Sequence, residues 1–306
     1  MNTNSKKMWA LAGLTSAIFL GIYDIFKKTS VNENAVMPVL FLSTLTSSII
    51  FLPIVTGSVY YPETFSRIGL YSPVLTLTEH LQVFLKSAIV ISSWILAFFA
   101  LKHLPVTIFA PIRSTSPLWT LIGAIIIFNE KLNTLQWIGV TLTLTFFYLF
   151  STAGKREGIE FRKNKWIYLI IAATILGSVS GLYDKFIISR IDRIAVQAWF
   201  SFYQVVIMFP VVGIFWFPKR RNTTPFKWRW TIPAIGITLV ITDFLYFYAL
   251  SFEGSMISMI SALRRSSVLI TFTLGALLFK EQNLKRKGLY LIGILAGILL
   301  ITLGSS

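Results

Sequence analysis

The sequence predicts an all-α membrane protein with ten transmembrane helices, arranged as two inverted five-helix repeats. Three observations lead there. The chain has 306 residues, of which 55% are hydrophobic and 13% charged, with a mean hydropathy of +0.72; a soluble domain carries about a quarter charged residues. Its apolar residues are gathered into ten runs, each long enough to cross a hydrocarbon core of roughly 30 Å at about 1.5 Å per residue. The last five runs repeat landmarks of the first five in the same order.

The runs fall at 8–26, 35–57, 81–101, 105–128, 135–151, 166–188, 195–217, 231–250, 255–279 and 288–304. The first follows Lys6 and Lys7 as a signal peptide would. It is too long for a simple h-region, however, and it has a partner later in the chain. The fourth is interrupted by Pro111 and Pro117, which free the carbonyls of Thr107 and Arg113. Broken helices mark transporter sites, although membrane helices also tolerate proline without a ligand role. Most links are short (28–34, 129–134, 189–194), and two are longer, at 58–80 and 151–165. Helices are the expected element because lipid leaves no backbone group unsatisfied.

The repeat is read residue by residue. Gly21-Ile22-Tyr23-Asp24 returns as Gly181-Leu182-Tyr183-Asp184, and Ala35-Val36 as Ala195-Val196. Ala100-Leu101 returns as Ala249-Leu250, and Ile112-Arg113 with Ser116 and Leu118 returns as Leu263-Arg264 with Ser267 and Leu269. Phe128-Asn129-Glu130 matches Phe279-Lys280-Glu281, and Ile138-Gly139 matches Ile292-Gly293. The units are thus 1–153 and 154–306, with the seam near 153–165. Five is odd, so the copies enter the membrane from opposite sides. Inverted repeats characterise secondary transporters, whose site lies between the repeats near the midplane; the plainer alternative is a structural bundle that was merely doubled.

Composition removes several function classes. There is no Cys, so thiolate metal sites, disulfides and Cys nucleophiles are excluded. His80 and His103 are too few for a His-based metal site. No HExxH, CxxC, G-x-S-x-G or Walker-type sequence occurs, so neither an enzyme nor a cofactor is expected. Transport would then be driven by an ion or by the solute gradient. The net charge of +16 fits basic loops held against anionic lipid better than nucleic acid. The basic and aromatic stretch 219–230 reads accordingly as an interfacial anchor. Of the 28 Lys and Arg, seventeen fall on the side that holds 27–28, 155–165 and 219–229, six on the side of the N-terminus, and five within the runs. Positive loops stay cytoplasmic, which predicts both termini outside.

Ala100-Leu101-Lys102, Arg113-Ser114-Thr115-Ser116-Pro117, Asn129-Glu130-Lys131-Leu132 and Gln136-Trp137-Ile138-Gly139 together resemble a signature of the drug/metabolite transporter superfamily, in its form with two EamA-type domains. The second copy keeps Ala249-Leu250, Ser266-Ser267 and Phe279-Lys280-Glu281 but lacks the Pro and the Gln-Trp pair. The resemblance implies ten helices, with the first four of each copy around a central cavity and the fifth and tenth at the periphery. It implies transport of small metabolites but no single substrate, since members carry amino acids, sugars, sugar phosphates and drugs. Many members are believed to hold both termini inside, a point on which this charge pattern differs. Small multidrug members use an acid in the first helix; Asp24 lies near the end of its own helix, and that role is not transferred to it.

Charges inside the runs are functional candidates because lipid makes them costly. Asp24 and Arg113 lie roughly 6 and 12 Å below one face, and Asp184 and Arg264 stand in the same relation at the other face. These pairs are expected either to gate alternating access or to hold helices together permanently. Asp243, mid-run, has Trp94 as its counterpart. It either takes up a coupled proton or pairs with Lys86 or Arg265. Arg265 points about 100° away from Arg264 and would meet a substrate carboxylate or phosphate with its planar fork. Trp94, Tyr203, Tyr246 and Tyr248 are candidate cavity aromatics. Lys86 and Lys185, near run ends, are expected to snorkel to the surface. Gly177 with Gly181, and Gly293 with Gly297, permit close helix contacts.

The expected function is a secondary transporter in the plasma membrane that moves a small polar, zwitterionic or anionic metabolite by alternating access. Its partners are that small molecule, the bilayer and coupled protons, with no nucleic acid. The competing reading is a flippase for lipid-linked substrates or an intramembrane lipid-processing enzyme.

Overall fold

The computed structural model describes residues 3–119, 122, 132–154, 160–188, 190–250, 264, 266–281 and 283–304. Among these residues the chain is helical, with no strand. In chain order the helices are α1 (Thr3–Val31), α2 (Val36–Tyr60), the short α3 (Pro62–Arg67), α4 (Leu77–His103), α5 (Val106–Ser114) and α6 (Thr134–Gly154). They continue with α7 (Lys165–Ile188), α8 (Arg193–Val211), α9 (Thr231–Leu250), α10 (Ser267–Phe279) and α11 (Leu284–Gly304). Among the described residues five segments can cross a membrane by length and composition: α2, α4, α7, α8 extended to Lys219, and α9. Large side chains such as Phe209, Leu277 and Phe215 are exposed on the outer surface. A soluble monomer rarely leaves so much apolar surface uncovered, and a bilayer accommodates it.

Local chemistry sets the helix ends. Thr76 and Glu79 open α4 with a capping box, in which Thr76 N donates to Glu79 Oε2 at 2.7 Å. Asp192 caps α8 by accepting from Ile194 N and Ala195 N. Lys280 ends α10 in the left-handed region at φ 50°. The fourth apolar run is not one continuous helix. α5 stops at Ser114, the chain turns at Thr115, and helix resumes over 116–119, two residues ahead of the position where Pro117 removes a backbone donor. The remainder of that run, and the first half of the ninth, lie outside the described residues.

Helix packing comes in exchanged pairs. α1 packs on α9, and α7 on α4; α2 packs on α9, and α8 on α4; α1 packs on α10, and α7 on α5. Three further contacts, α2 with α8, α5 with α10 and α6 with α11, join equivalent helices of the two halves. Small groups make these approaches possible. A Cβ on Gly139 would lie 2.7 Å from the Gly297 carbonyl oxygen, and one on Gly297 would lie 2.8 Å from that of Gly139. The Gly297 motif is therefore spent inside the chain, between α6 and α11.

Buried side chains form two main cores. One joins α4, α5, α7 and α11 around Phe109, Ile112 and Ile294. The other joins α1, α2, α4 and α9 around Leu40, Phe98 and Ile235. The 219–230 segment is tied to the α1–α2 turn by Asn34, whose amide exchanges two hydrogen bonds of 2.7 Å with the Lys227 backbone. Lys102 Nζ donates to Thr224 Oγ1 on the same face.

Candidate functional site

A cavity of about 220 Å³ lies among α1, α4, α5, α7, α9 and α10. Tyr23, Trp94, Phe200, Tyr246 and Phe247 give it aromatic walls, and seven charged side chains line it: Asp24, Asp184 and Asp243 against Lys27, Lys86, Arg113 and Arg264. Buried charge is tolerated when it is paired and hydrogen-bonded. Each carboxylate here has a cation. Lys27 Nζ meets Asp24 at 2.6 Å, Arg264 Nη2 meets Asp243 at 2.6 Å, and Lys86 Nζ donates to Asp184.

The pairing differs from the one that repeat symmetry predicts. Asp24 does not form an ion pair with Arg113. Lys27, three residues ahead on the same face of α1, reaches it first, and Thr271 Oγ1 donates to its other oxygen at 3.3 Å. Asp184 takes Lys86 rather than Arg264, because α4 lies along α7 and brings Lys86 opposite it. That leaves Arg264 to Asp243, a partner on α9 outside the two expected for Asp243. Lys86 does not snorkel: it and Lys27 are each 3% exposed. Rings cover the cations. Lys27 Nζ is 4.2 Å from the Tyr23 centroid, Lys86 Nζ 4.6 Å from Phe200, and Arg264 Cζ 4.1 Å from Tyr246, close enough for cation–π attraction.

Arg113 stands apart. It lines the cavity but has no carboxylate within ion-pair distance among the described residues. Its fork lies beside α7 at Gly177, where a Cβ would come 3.9 Å from Nη1. One turn further along α7, a Cβ on Gly181 would meet nothing within 4 Å. Both glycines line the cavity, so on this helix the small residues keep space open rather than close a helix contact.

Of the other candidates, Trp94, Tyr246 and Asp243 line the cavity. Tyr203 does not: its hydroxyl meets His80 Nδ1 at 3.0 Å, in an aromatic group with Trp199 and Phe84. Arg265 and the side chain of Lys185 lie outside the described residues. Sequence reasoning missed Lys27, although its spacing from Asp24 was available. It also left Glu281 unassigned. The Glu281 carboxylate, which follows α10, accepts from Val106 N at 2.7 Å, from Thr107 N at 2.8 Å and from the Thr107 hydroxyl. It thereby caps α5, the helix that carries Arg113. Beside it Lys287, fully buried, donates to Thr107 Oγ1 at 2.9 Å. Lys28 closes the preceding helix, donating to the carbonyls of Leu101 and Leu104. Anion at an N-terminus and cation at a C-terminus both follow the helix dipole.

Among curated proteins no sequence matches this chain. A solved crystal structure of a protein shares its fold, with a TM-score of 0.62 at 16% identity over 96% of this chain and 96% of the other. The model of the EamA-like transporter family matches twice, at residues 7–152 and 164–303. Two successive matches of one transporter model, over helices that enclose a charged cavity, place this chain in the EamA-like transporter family.

Proposed function

We propose that the chain is a ten-span secondary transporter of the plasma membrane, built as inverted units 1–153 and 154–306, which moves a small polar, zwitterionic or anionic metabolite by alternating access. The observation that carries this reading is the cavity itself, which is walled by helices from both halves and holds charges that lipid would otherwise exclude. The exchanged helix contacts support the inverted arrangement, because a pseudo-two-fold axis maps each contact onto its partner. Trp94, Tyr246 and Asp243 form the substrate surface. Asp24, Asp184 and Arg264 act as gating groups through the partners they hold here, Lys27, Lys86 and Asp243; the Lys86–Asp184 and Arg264–Asp243 pairs join separate segments and loosen when those segments part, whereas Asp24 and Lys27 move together on α1.

Reconstitution tests the reading. The purified chain in liposomes preloaded with amino acids, organic acids, sugars or organic cations should show counterflow of at least one soluble solute, and no counterflow in empty liposomes. A protein that leaves every soluble solute in place but redistributes lipid between leaflets, or changes covalent bonds, is not this transporter.

A further inference from the structure

We infer that Arg113 is the anion-binding residue of the cavity, and that the transported solute carries one net negative charge on a carboxylate-type group joined to a small uncharged body. The inference rests on the transport reading above and narrows its substrate class.

Charge comes first. Among the described residues four cations and three carboxylates line the cavity, and three ion pairs use all three of those carboxylates. Arg113 is half-buried and faces the cavity; a guanidinium cannot shed its proton, and a charge held inside the bundle without a counter-charge is expensive. The described lining is therefore short of one negative charge, and the shortage is located at Arg113. A solute amine finds the opposite situation, since every carboxylate already has a cation within hydrogen-bond distance.

The backbone around Arg113 does not make up the difference. α5 ends one residue later, so its last carbonyls could have turned to the guanidinium. Two of them are taken: Ser114 Oγ donates to the Pro111 carbonyl and Thr115 Oγ1 to that of Ile112, both at 2.7 Å. Nearby hydroxyls bring no charge: Ser93 Oγ on α4 donates to the Ala173 carbonyl at 2.7 Å, and Ser116 and Ser178 share a hydrogen bond of 2.7 Å, so any lone pair they offer the fork leaves its positive charge uncompensated. What faces the fork is Gly177, with the open space at Gly181 beyond it. A planar acceptor with two oxygens fits a planar fork bidentately, and the missing Cβ atoms leave room for it.

Size and walls describe the rest of the solute. A cavity of about 220 Å³ suits a small molecule. Trp94, Val90, Leu239 and Val268 supply an apolar wall that favours a body without further charge.

The test uses the purified full-length chain and acid–amide pairs of one shape: phenylacetate with phenylacetamide, and butyrate with butyramide. Glucose, alanine and tetraethylammonium serve as neutral, zwitterionic and cationic solutes. Binding is read by calorimetry in detergent and uptake in phosphatidylcholine liposomes. At least one acid should bind about tenfold or more tighter than its amide. Arg113→Gln should abolish that preference, Arg113→Lys should retain part of it, and Lys163→Gln, at an exposed position outside the cavity, should leave it intact; a thermal unfolding curve for each variant confirms folding. Equal binding of acid and amide overturns the inference. So does a preference that survives Arg113→Gln or is lost in Lys163→Gln, or uptake of the neutral, zwitterionic or cationic solutes with none of the acids. Adding phosphatidylglycerol to the liposomes separates the two sources of such an anion: unchanged acid uptake identifies a soluble acid, whereas strong competition identifies a lipid headgroup and overturns the soluble-acid assignment. If acids bind through Arg113 but no solute of any kind crosses the bilayer, the transport reading falls while the anion site stands. If nothing binds and nothing crosses, both fall.

Discussion

Removing the Glu281 carboxylate should destabilise the fold from a position remote in sequence from the helix it serves. Glu281 follows α10, yet it accepts from the first two backbone donors of α5, at 2.7 and 2.8 Å, and from the Thr107 hydroxyl. Glu281→Ala leaves those two N–H groups without acceptors. An orphaned buried donor costs about 1–3 kcal/mol; Glu281 is only partly buried, so water recovers some of this, and about 2–3 kcal/mol in total is the expected loss. Lys287, which is fully buried beside Thr107, also loses the neighbouring negative charge. At about 2 °C per kcal/mol for a chain of this size, the thermal midpoint in detergent should fall by roughly 4–6 °C. Glu281→Gln keeps one acceptor oxygen and loses the charge at the helix N-terminus, so it should fall about half as far. Thr107→Val deletes only the hydroxyl and should fall least. Midpoints of Glu281→Ala and wild type within about one degree would refute the argument. Equal losses in the Ala and Gln variants would show that the carboxylate charge, which both remove, matters there rather than the accepted hydrogen bonds.

Three further outcomes follow from particular contacts. Lys86→Met strands the Asp184 carboxylate and should cost about 3–5 kcal/mol, whereas Lys86→Met with Asp184→Leu should recover much of that loss; additive losses in chemical denaturation would mean that the two side chains do not interact. Gly181→Ala should leave the unfolding midpoint unchanged or raise it slightly, because nothing lies within 4 Å of the new Cβ, while Gly139→Ala should lower it through the clash with the Gly297 carbonyl. The opposite ranking would contradict the packing described for α6 and α11. A C-terminal fluorescent protein that matures only in the cytoplasm should stay dark, as the Lys and Arg distribution requires, and bright cells would reverse the orientation.

The features legible in the sequence were those fixed by local pattern. Apolar runs mark helices because lipid forbids exposed backbone, whatever the rest of the chain does. The echo of Gly21-Ile22-Tyr23-Asp24 in Gly181-Leu182-Tyr183-Asp184, and of Arg113 in Arg264, survives because corresponding helices meet corresponding neighbours. The family match over both halves follows from the same pattern. Asp24, Trp94, Arg113, Asp184, Asp243, Tyr246 and Arg264 are legible in the sequence, since charges and aromatics within apolar runs need a reason, and all seven line one cavity.

Which charge meets which was settled only by tertiary structure. The backbone contacts obey an exchange of halves, but the ion pairs do not: Asp24 has Lys27, at a position whose counterpart is Ile187, and Asp184 has Lys86, which approaches from α4. Ion-pair geometry depends on distances of an ångström or two between side chains on different helices, and helical register alone does not supply them. Tyr203 shows the same limit, because only the rotation of α8 decided that its hydroxyl reaches His80 instead of the cavity. Glu281 shows it again, as nothing in a linear pattern brings a carboxylate after α10 onto the first turn of α5. The sequence alone determined the helices, their duplication and the cavity charges other than Lys27 and Lys86, because these answer to the solvent and to local spacing. Folding then distributed the partners, which left three carboxylates occupied and the Arg113 guanidinium facing open space, because a counter-charge belongs to whichever neighbour packing brings within reach.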